Sequence, residues 1–517
     1  MISNYFSYYL MKGEYKRFIK AIYHHKETQS NVLFNILIEN QTTEFGNKHN
    51  FSGINSFYDF RNKVKINNYN DFIPYLEKIK DGGQNILTSL PVTILEPTGG
   101  STSGTKLIPY NRGLKKDFIR GIYPWLFDFF KSRKSILKGR SYWSITPSTI
   151  KPYRTKGGIP VGFKDDTDYF GIAGKFLKCG LIEPEGLESI ENHDQFYYRT
   201  LLHLLRVKKL SFISAWHPSL LIILIDKMQE FKNELIEDVR IGQSRLEPGR
   251  KFKPMKKRSD FLKSNLNPKT IWPGLTTISC WTDGSAKMFV NRLKEKFPEI
   301  EIQGKGLLAT EGIVSFPFQK LDGKILSIRS HFFEFIDYQT QDVKYSWELE
   351  KGKFYTVIIT TSGGFYRYNL HDIVEVTGFY NGVPLLRFCG KEDLISDYRG
   401  EKLNEFFVRD CVDLIIKPLN LNPDLLRFRP VEKKTFQYEL EIYLGKTIKL
   451  TELTDLEKKL EQLLCKNIHY KYARDIGQID PVRIKILKSD KKILEKYIKE
   501  LSQNRNKLGI IKPFIIN

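Results

Sequence analysis

Cysteine is scarce. Cys179, Cys280, Cys389, Cys411 and Cys465 are the only five in 517 residues, with no CxxC pair and no Cys/His cluster at zinc-ligand spacing. A disulfide framework and a structural zinc centre are therefore not expected, and the thiols read as reduced and mostly core. Long apolar runs are missing too. The longest aliphatic stretch, LLIILI from Leu220 to Ile225, is far too short to span a bilayer, and the opening MISNYFSYYLMKGEYKRF lacks the apolar run of a signal peptide. The expectation is a soluble, cytoplasmic protein with no membrane partner. No internal repeat, low-complexity tract, RNA-binding signature or zinc finger is visible.

Acidic residues are in deficit, 59 Asp and Glu against 82 Lys and Arg, a net charge of +23. Such a surplus suits nucleic acid or an acidic partner. With no nucleic-acid motif beside it, it is read instead as a lysine-rich bias spread over solvated faces. The sharpest basic run, GRKFKPMKKR at Gly249 to Arg258, reads as an exposed loop. Hydrophobic content of 41% and aromatic content of 13% suit a folded chain, and its length suits two or more domains. Strand-like runs (PVTILEP, KLIPY, TTISCW, HFFEFID, FYTVIIT) mix with helices such as Ser219 to Val239 as far as about Phe388. Beyond that point come charged amphipathic helices around a few strands. The composition shift predicts a large α/β domain, residues 1–390, and a small α+β domain, residues 391–517, hinged near GKEDL, with Asp393 at the hinge.

The nine residues TGGSTSGTK, Thr98 to Lys106, offer unhindered backbone N–H groups, hydroxyls and a lysine to anionic oxygens. The loop is not a Walker A site. Gly99 and Gly104 have the right separation, but Thr105-Lys106 reverses the required order, and Pro109 stands where a helix should begin. The flanks read strand, loop, strand, with a helix only from about Arg112. Further on, GKGLLATEG ends a strand pattern with Thr310 and Glu311, a hydroxyl and a carboxylate suited to a phosphoryl oxygen and Mg²⁺; a helix N-cap by Thr310 is the plainer alternative. GGFYRYNLHDIVEVTGF reads as a β-hairpin with Asp372 at the turn. RFCGKEDLISDYRGEKLNE places Lys391, Asp393 and Lys402 at the domain junction.

Taken in order, these stretches resemble the adenylate-forming ligases, and most closely the auxin-responsive promoter (Gretchen Hagen) family of acyl acid-amido synthetases and its bacterial relatives. EPTGGSTSGTKLIPY is similar to that family's nucleotide loop, and the forty-odd residues from Gly363 to Glu405 are similar to its Y-R-Y segment and the stretch after it. SCWTDG, HFFEFID and the closing IKP also fit. The resemblance implies a large mixed α/β domain with β-barrel-like and sheet subdomains, holding ATP and the acyl acid, followed by a small mobile α+β domain. It implies ATP and Mg²⁺ as cofactors, and a carboxylic acid and an amine, commonly an amino acid, as substrates. The acid would become an acyl-adenylate and then an amide. Thr98, Gly99, Gly100, Ser101, Thr102 and Lys106 would cradle phosphates, Thr310 would touch the α-phosphate, Glu311 would hold Mg²⁺, and Asp372, with Lys391 nearby, would bind the ribose. Lys402 and the terminal Lys512 would neutralise charge on the transferring phosphate.

Three positions depart from the family. His371 stands in place of a glycine before the aspartate, Lys391 in place of an arginine, and Leu307-Leu308 in place of the aromatic residue that stacks on adenine. Tyr142, Trp143, Trp216 and His217 are candidates for an acid pocket that would favour an apolar or aromatic acid, although aromatic residues at this spacing also suit a core. Two other functions compete: adenylation followed by thioester formation on coenzyme A or an acidic acyl carrier protein, and a non-catalytic nucleotide-binding relative.

Overall fold

The computed structural model describes residues 2–98, 106–144, 153–162, 171–184, 187, 192–246, 251–392, 395–419, 423, 425–432, 436–444, 450–488 and 514–515. They fall into two compact units. The first comprises Met1–Thr282, Phe289–Leu370 and Glu375–Arg387; the second comprises Asp283–Met288, His371–Val374 and Phe388–Asn517.

In the first unit a five-stranded parallel sheet runs in the order Leu181–Ile182, Arg140–Trp143, Leu210–Ser214, Thr277–Cys280, Glu301–Gly304. Its strands are short, and Leu181–Ile182, Leu210–Ser214 and Thr277–Cys280 are buried throughout, as in a covered parallel sheet. One cover is the helix Arg112–Ser132, which starts where Asn111 accepts the Leu114 N–H in its side chain. Leu114, Phe118, Ile122, Trp125 and Phe129 recur every three or four residues along it and are all buried, with Phe129 against Phe212 of the central strand, ring centroids 4.9 Å apart. Each such burial stabilises by about 1.5–3 kcal/mol.

A seven-stranded sheet is ordered Ser315–Pro317, Lys324–Leu326, Val383–Lys391, Tyr368–Tyr380, Phe354–Thr360, Phe332–Asp337, Val343–Tyr345. Here the expectation from sequence needs correction. Asp372 is not at a hairpin turn but inside the thirteen-residue strand Tyr368–Tyr380. The turn comes later, at Asn381-Gly382, where both residues have positive φ (46° and 79°), as a two-residue hairpin demands.

Two other expectations change. The single helix expected from Ser219 to Val239 is two, Pro218–Glu230 and Lys232–Ile241, broken at Phe231, whose ring lies edge-on to Tyr198. The basic run is not wholly an exposed loop: Lys256–Ser264 is helical, and Arg258 is buried, donating to the carbonyls of Leu205, Val207 and Ile271. Cys280 and Cys411 are buried, and all five cysteines are unbridged. No helix among the described residues is long and apolar enough to cross a membrane.

The second unit is α+β. A four-stranded sheet ordered Asp480–Lys488, Phe436–Leu444, Leu425–Glu432, Phe514–Ile515 packs with the helices Glu405–Ile416, Leu450–Leu464 and Ile468–Asp475. Phe428, Tyr438, Leu440, Ile442, Leu460 and Tyr470 form its core. The two-residue strand Phe514–Ile515 pairs antiparallel with Leu425–Glu432, Phe514 opposite Phe428 and Ile515 opposite Arg427.

Candidate nucleotide and acid site

Ile94–Pro97 and Leu107–Tyr110 pair antiparallel, Pro97 opposite Leu107, and the Thr98 N–H donates to the Lys106 carbonyl at 2.8 Å. The glycine-hydroxyl loop is thus the connection of a hairpin, as its flanks suggest. Gly99, Gly100, Ser101 and Thr102 lie outside the described residues, as do Asp393 and Lys512. At the two ends of the loop, the Thr98 hydroxyl is buried with no hydrogen-bond partner among the described residues, and the Lys106 ammonium lies 5.7 Å from the centre of the Tyr69 ring. The Tyr69 hydroxyl accepts the Leu107 N–H at 2.7 Å.

Thr310 and Glu311 are the central residues of a tight hairpin between Leu308–Ala309 and Gly312–Ile313, Ala309 opposite Gly312. Thr310 therefore caps no helix. The Tyr110 hydroxyl donates to the Thr310 carbonyl at 2.5 Å, and the Tyr368 hydroxyl to a Glu311 carboxylate oxygen at 3.4 Å. Within this unit the fold brings Thr98, Lys106, Thr310 and Glu311 onto two hairpins braced by three tyrosines, Tyr69, Tyr110 and Tyr368. Leu307 is buried and Leu308 half-buried on the same segment.

A buried carboxyl that the sequence motifs do not single out ties these segments together. Asp117, in the first turns of the helix after the loop, meets Arg120 at 3.0 Å, accepts the Ser362 N–H at 3.3 Å and lies 3.7 Å from His331 Nδ1. His331 in turn accepts the Ile313 N–H through Nε2 at 3.1 Å, which leaves its proton on Nδ1, facing Asp117. The contact is close enough that a Cβ on Gly312 would stand 2.5 Å from His331 Nε2, so only glycine fits beside the Thr-Glu turn. The sequence does carry a signal for Asp117: it is a lone carboxylate beside Phe118 on an otherwise apolar stripe.

Burial raises the Asp117 pKa to about 7 and lowers that of His331 to about 3. The signs oppose each other. His331, depressed, contributes stability that is lost as pH falls below 6.5; Asp117, raised, contributes stability that is gained as pH falls from 7 towards 3.8. Replacing Asp117 by Asn removes the second contribution alone. Urea unfolding of Asp117→Asn and the parent should therefore diverge by about 1.4 kcal/mol for each pH unit lowered between 7 and 4. Parallel curves would mean that Asp117 is already ionised at pH 4.

In the second unit, Lys391 Nζ donates to Asp372 Oδ1 at 2.7 Å; Asp372 is buried and Lys391 partly exposed. Asn404 fixes the segment by donating to the carbonyls of Lys391 (3.2 Å) and Glu392 (2.8 Å). His371, where the resemblance leads one to expect glycine, has φ of 57°, the left-handed conformation that glycine adopts freely. Its imidazole Nδ1 lies 3.2 Å from a Glu392 carboxylate oxygen. This explains the position's preference: the kink before Asp372 is a backbone requirement. His371→Gly should leave stability within about 1 kcal/mol of the parent, whereas His371→Val, branched at Cβ, should cost about 1–2 kcal/mol on urea unfolding. Equal effects would show that the kink relaxes. Lys402 is exposed, also at positive φ (42°), beside the buried Glu401, whose carboxylate accepts the N–H groups of Tyr398 and Arg399.

The four acid-pocket candidates separate. Tyr142 is wholly buried beside the Thr200 and Ser144 hydroxyls, its pKa pushed up to about 12 by that burial, and it belongs to the core. His217 caps the helix Pro218–Glu230, accepting the Ser219 N–H. Trp143 ends its strand half-buried, and Trp216 stands 43% exposed just beyond the strand Leu210–Ser214. Among the described residues no cluster of three or more His, Cys, Asp or Glu could hold a metal ion by itself.

The fold is that of an acyl acid-amido synthetase. A solved structure of one, AtGH3.15 in complex with 2,4-DB, matches with a TM-score of 0.79 at 19% identity, covering 98% of this chain and 94% of that one. Residues 14–302 match the GH3 family N-terminal domain and residues 324–391 the GH3 family central domain, so the chain belongs to the GH3 family. A jasmonoyl–L-amino acid synthetase of Nicotiana attenuata, JAR6, is 24% identical over 370 residues, 65% of this chain and 63% of the relative. A probable indole-3-acetic acid-amido synthetase of Oryza sativa, GH3.12, is 22% identical over 456 residues, 76% and 73%. The matched region thus spans 63% of the length of the first of these relatives.

Proposed function

We propose that this protein is an ATP-dependent ligase that joins a carboxylic acid to an amine, an amino acid in the first instance. The observation that carries the reading is the pair of tyrosine-braced hairpins, which sets Thr98 and Lys106 on one and Thr310 and Glu311 on the other. Membership of the GH3 family, with synthetases among its relatives, supports it.

In the first step a carboxylate oxygen of the acid attacks the α-phosphorus of ATP; the bond to the bridging oxygen breaks and pyrophosphate leaves. In the second, the amine nitrogen attacks the acyl carbon, the carbon–oxygen bond to AMP breaks, and the amine loses a proton. Backbone N–H groups and hydroxyls of the loop from Thr98 to Thr102, with Lys106, hold the phosphates, and Thr310 meets the α-phosphate. Asp372 takes the ribose hydroxyls, as a carboxylate that accepts several hydrogen bonds at once can, with Lys391 beside it. Lys402 and Lys512 supply positive charge as negative charge builds up on the transferring phosphate. Glu311 suits Mg²⁺, because a nucleotide-borne Mg²⁺ commonly needs only one or two carboxylates besides phosphate and water, and a part-exposed carboxylate at a turn provides one. Residues 1–390 would carry ATP and acid sites, residues 391–517 the mobile domain, in a cytoplasmic setting that unbridged cysteines suit.

The net charge of +23 favours one second reading, in which the acyl group passes to the thiol of coenzyme A or of an acidic carrier protein. Acid-dependent pyrophosphate release would establish adenylation, and its absence would leave a nucleotide-binding relative. Product analysis with amino acids against thiols separates the two acceptors.

A further inference from the structure

At the carboxyl ends of the parallel strands, where α/β sheets place their ligands, the register sets Trp143, Ser214, Ser279 and Gln303 in one row across four neighbouring strands. Lys305, two residues beyond that row, is 6% exposed and donates to Ser214 Oγ at 2.7 Å. Its ammonium lies 5.1 Å from the Trp216 ring centre and 5.7 Å from that of Trp125. A buried ammonium beside two indole faces is a strong point of attraction for an anion. Two atoms of that row, Ser279 Oγ and Gln303 Oε1, and Nε1 of the Trp125 indole beside Lys305 are buried without a hydrogen-bond partner among the described residues. Leaving each unmade costs about 1–3 kcal/mol, so such a group in a native fold demands an explanation. The indole N–H can only donate and the serine hydroxyl is free to donate. Together with the ammonium they make a donor set for an anion. Trp216, 43% exposed, offers a flat apolar face to solvent beside them.

We propose that Lys305 anchors a substrate carboxylate, with Trp125 Nε1 and Ser279 Oγ as its companions, and that Trp216 covers the aromatic body attached to it. This rests on the ligase reading and adds a residue that decides which substrates it takes. The carboxylate belongs to the acid or to the amino-acid acceptor, and the test separates them.

Full-length protein and Lys305→Met, similar in size but uncharged, are compared by thermal unfolding with benzoate and indole-3-acetate against benzamide and indole-3-acetamide. The acids, not the amides, should raise the parent's midpoint, and Lys305→Met should lose that selectivity. In pyrophosphate exchange, the half-saturating acid should rise about tenfold or more, the scale of one charge-assisted hydrogen bond, with the half-saturating ATP unchanged. If exchange is normal and only the half-saturating amino acid in amide formation rises, the acceptor's carboxylate is the one held. Equal shifts with acids and amides, or unchanged constants for both acid and amino acid, would overturn the anchor. Should Lys305→Met fail to fold, Trp216→Ala at an exposed position must still weaken the acid-induced shift, and an undiminished shift overturns the proposal as well. Loss of the selective shift without any acid-dependent exchange in the parent would keep the anchor and sink the ligase reading.

Discussion

Glu311→Gln should lower acid-dependent pyrophosphate exchange by about 10²-fold or more, the usual scale for losing one charge-stabilising group. The substitution keeps shape and the Tyr368 hydrogen bond, since a glutamine oxygen accepts as a carboxylate does. It removes only the charge at the tip of the Leu308–Ile313 hairpin, where Glu311 is part-exposed and its main chain is held by pairing on both sides. Unfolding should therefore be unchanged within about 0.5 kcal/mol, as for a surface substitution. Titrating Mg²⁺ separates binding from placement: if the carboxylate holds the ion, excess Mg²⁺ recovers part of the lost rate and the variant's MgATP affinity is reduced in calorimetry. A rate equal to the parent's at limiting Mg²⁺ would exclude the metal role.

How much of this site is legible in the chain alone depends on whether the chemistry is local. The loop between PVTILEP and KLIPY and the Thr-Glu pair are contiguous in sequence, and the fold sets both on hairpins. Asp372 is legible as a residue but not as a place, because IVEV after it suggests a fresh strand while His371 kinks a single long one at positive φ. Kinks of this kind are announced by glycine, and here the glycine is absent. The contacts that bring distant segments together are not legible. The Asp117–His331 contact joins residues 214 positions apart (331 − 117), and neither stretch shows what the other will meet. Lys305 sits in the motif GKGLLATEG but reads as part of a turn, because nothing local shows that parallel-strand register brings Ser214, Ser279 and Gln303 alongside it.

The largest stability effect is expected at Glu334, on the strand Phe332–Asp337, which serves two guanidinium groups. Its carboxylate, 1% exposed, accepts from Arg367 Nε at 2.8 Å and Nη2 at 3.1 Å, and from Arg61 Nε at 2.8 Å. Arg367 is itself buried at positive φ (47°), and donates through Nη1 to the carbonyls of Val64 (2.8 Å) and Arg61 (3.1 Å). Arg61 also lies over the Tyr345 ring, 3.5 Å from its centre. Glu334→Gln leaves two cations around a neutral amide, one of them wholly buried. Breaking a buried pair from one side costs about 3–5 kcal/mol, because the remaining charge keeps its desolvation penalty and loses its partner. Replacing the ion pair as a unit, Glu334→Leu with Arg367→Met, should cost less than the single change, since it leaves fewer charges buried. The effect should reach the site: Arg367 fixes the turn between Tyr366, whose hydroxyl donates to the Leu87 carbonyl, and Tyr368, which donates to Glu311. Acid-dependent exchange per folded molecule should fall in Glu334→Gln even below the temperature at which it unfolds. A cost under about 1 kcal/mol would show that water reaches the pair and screens it as it does a surface bridge.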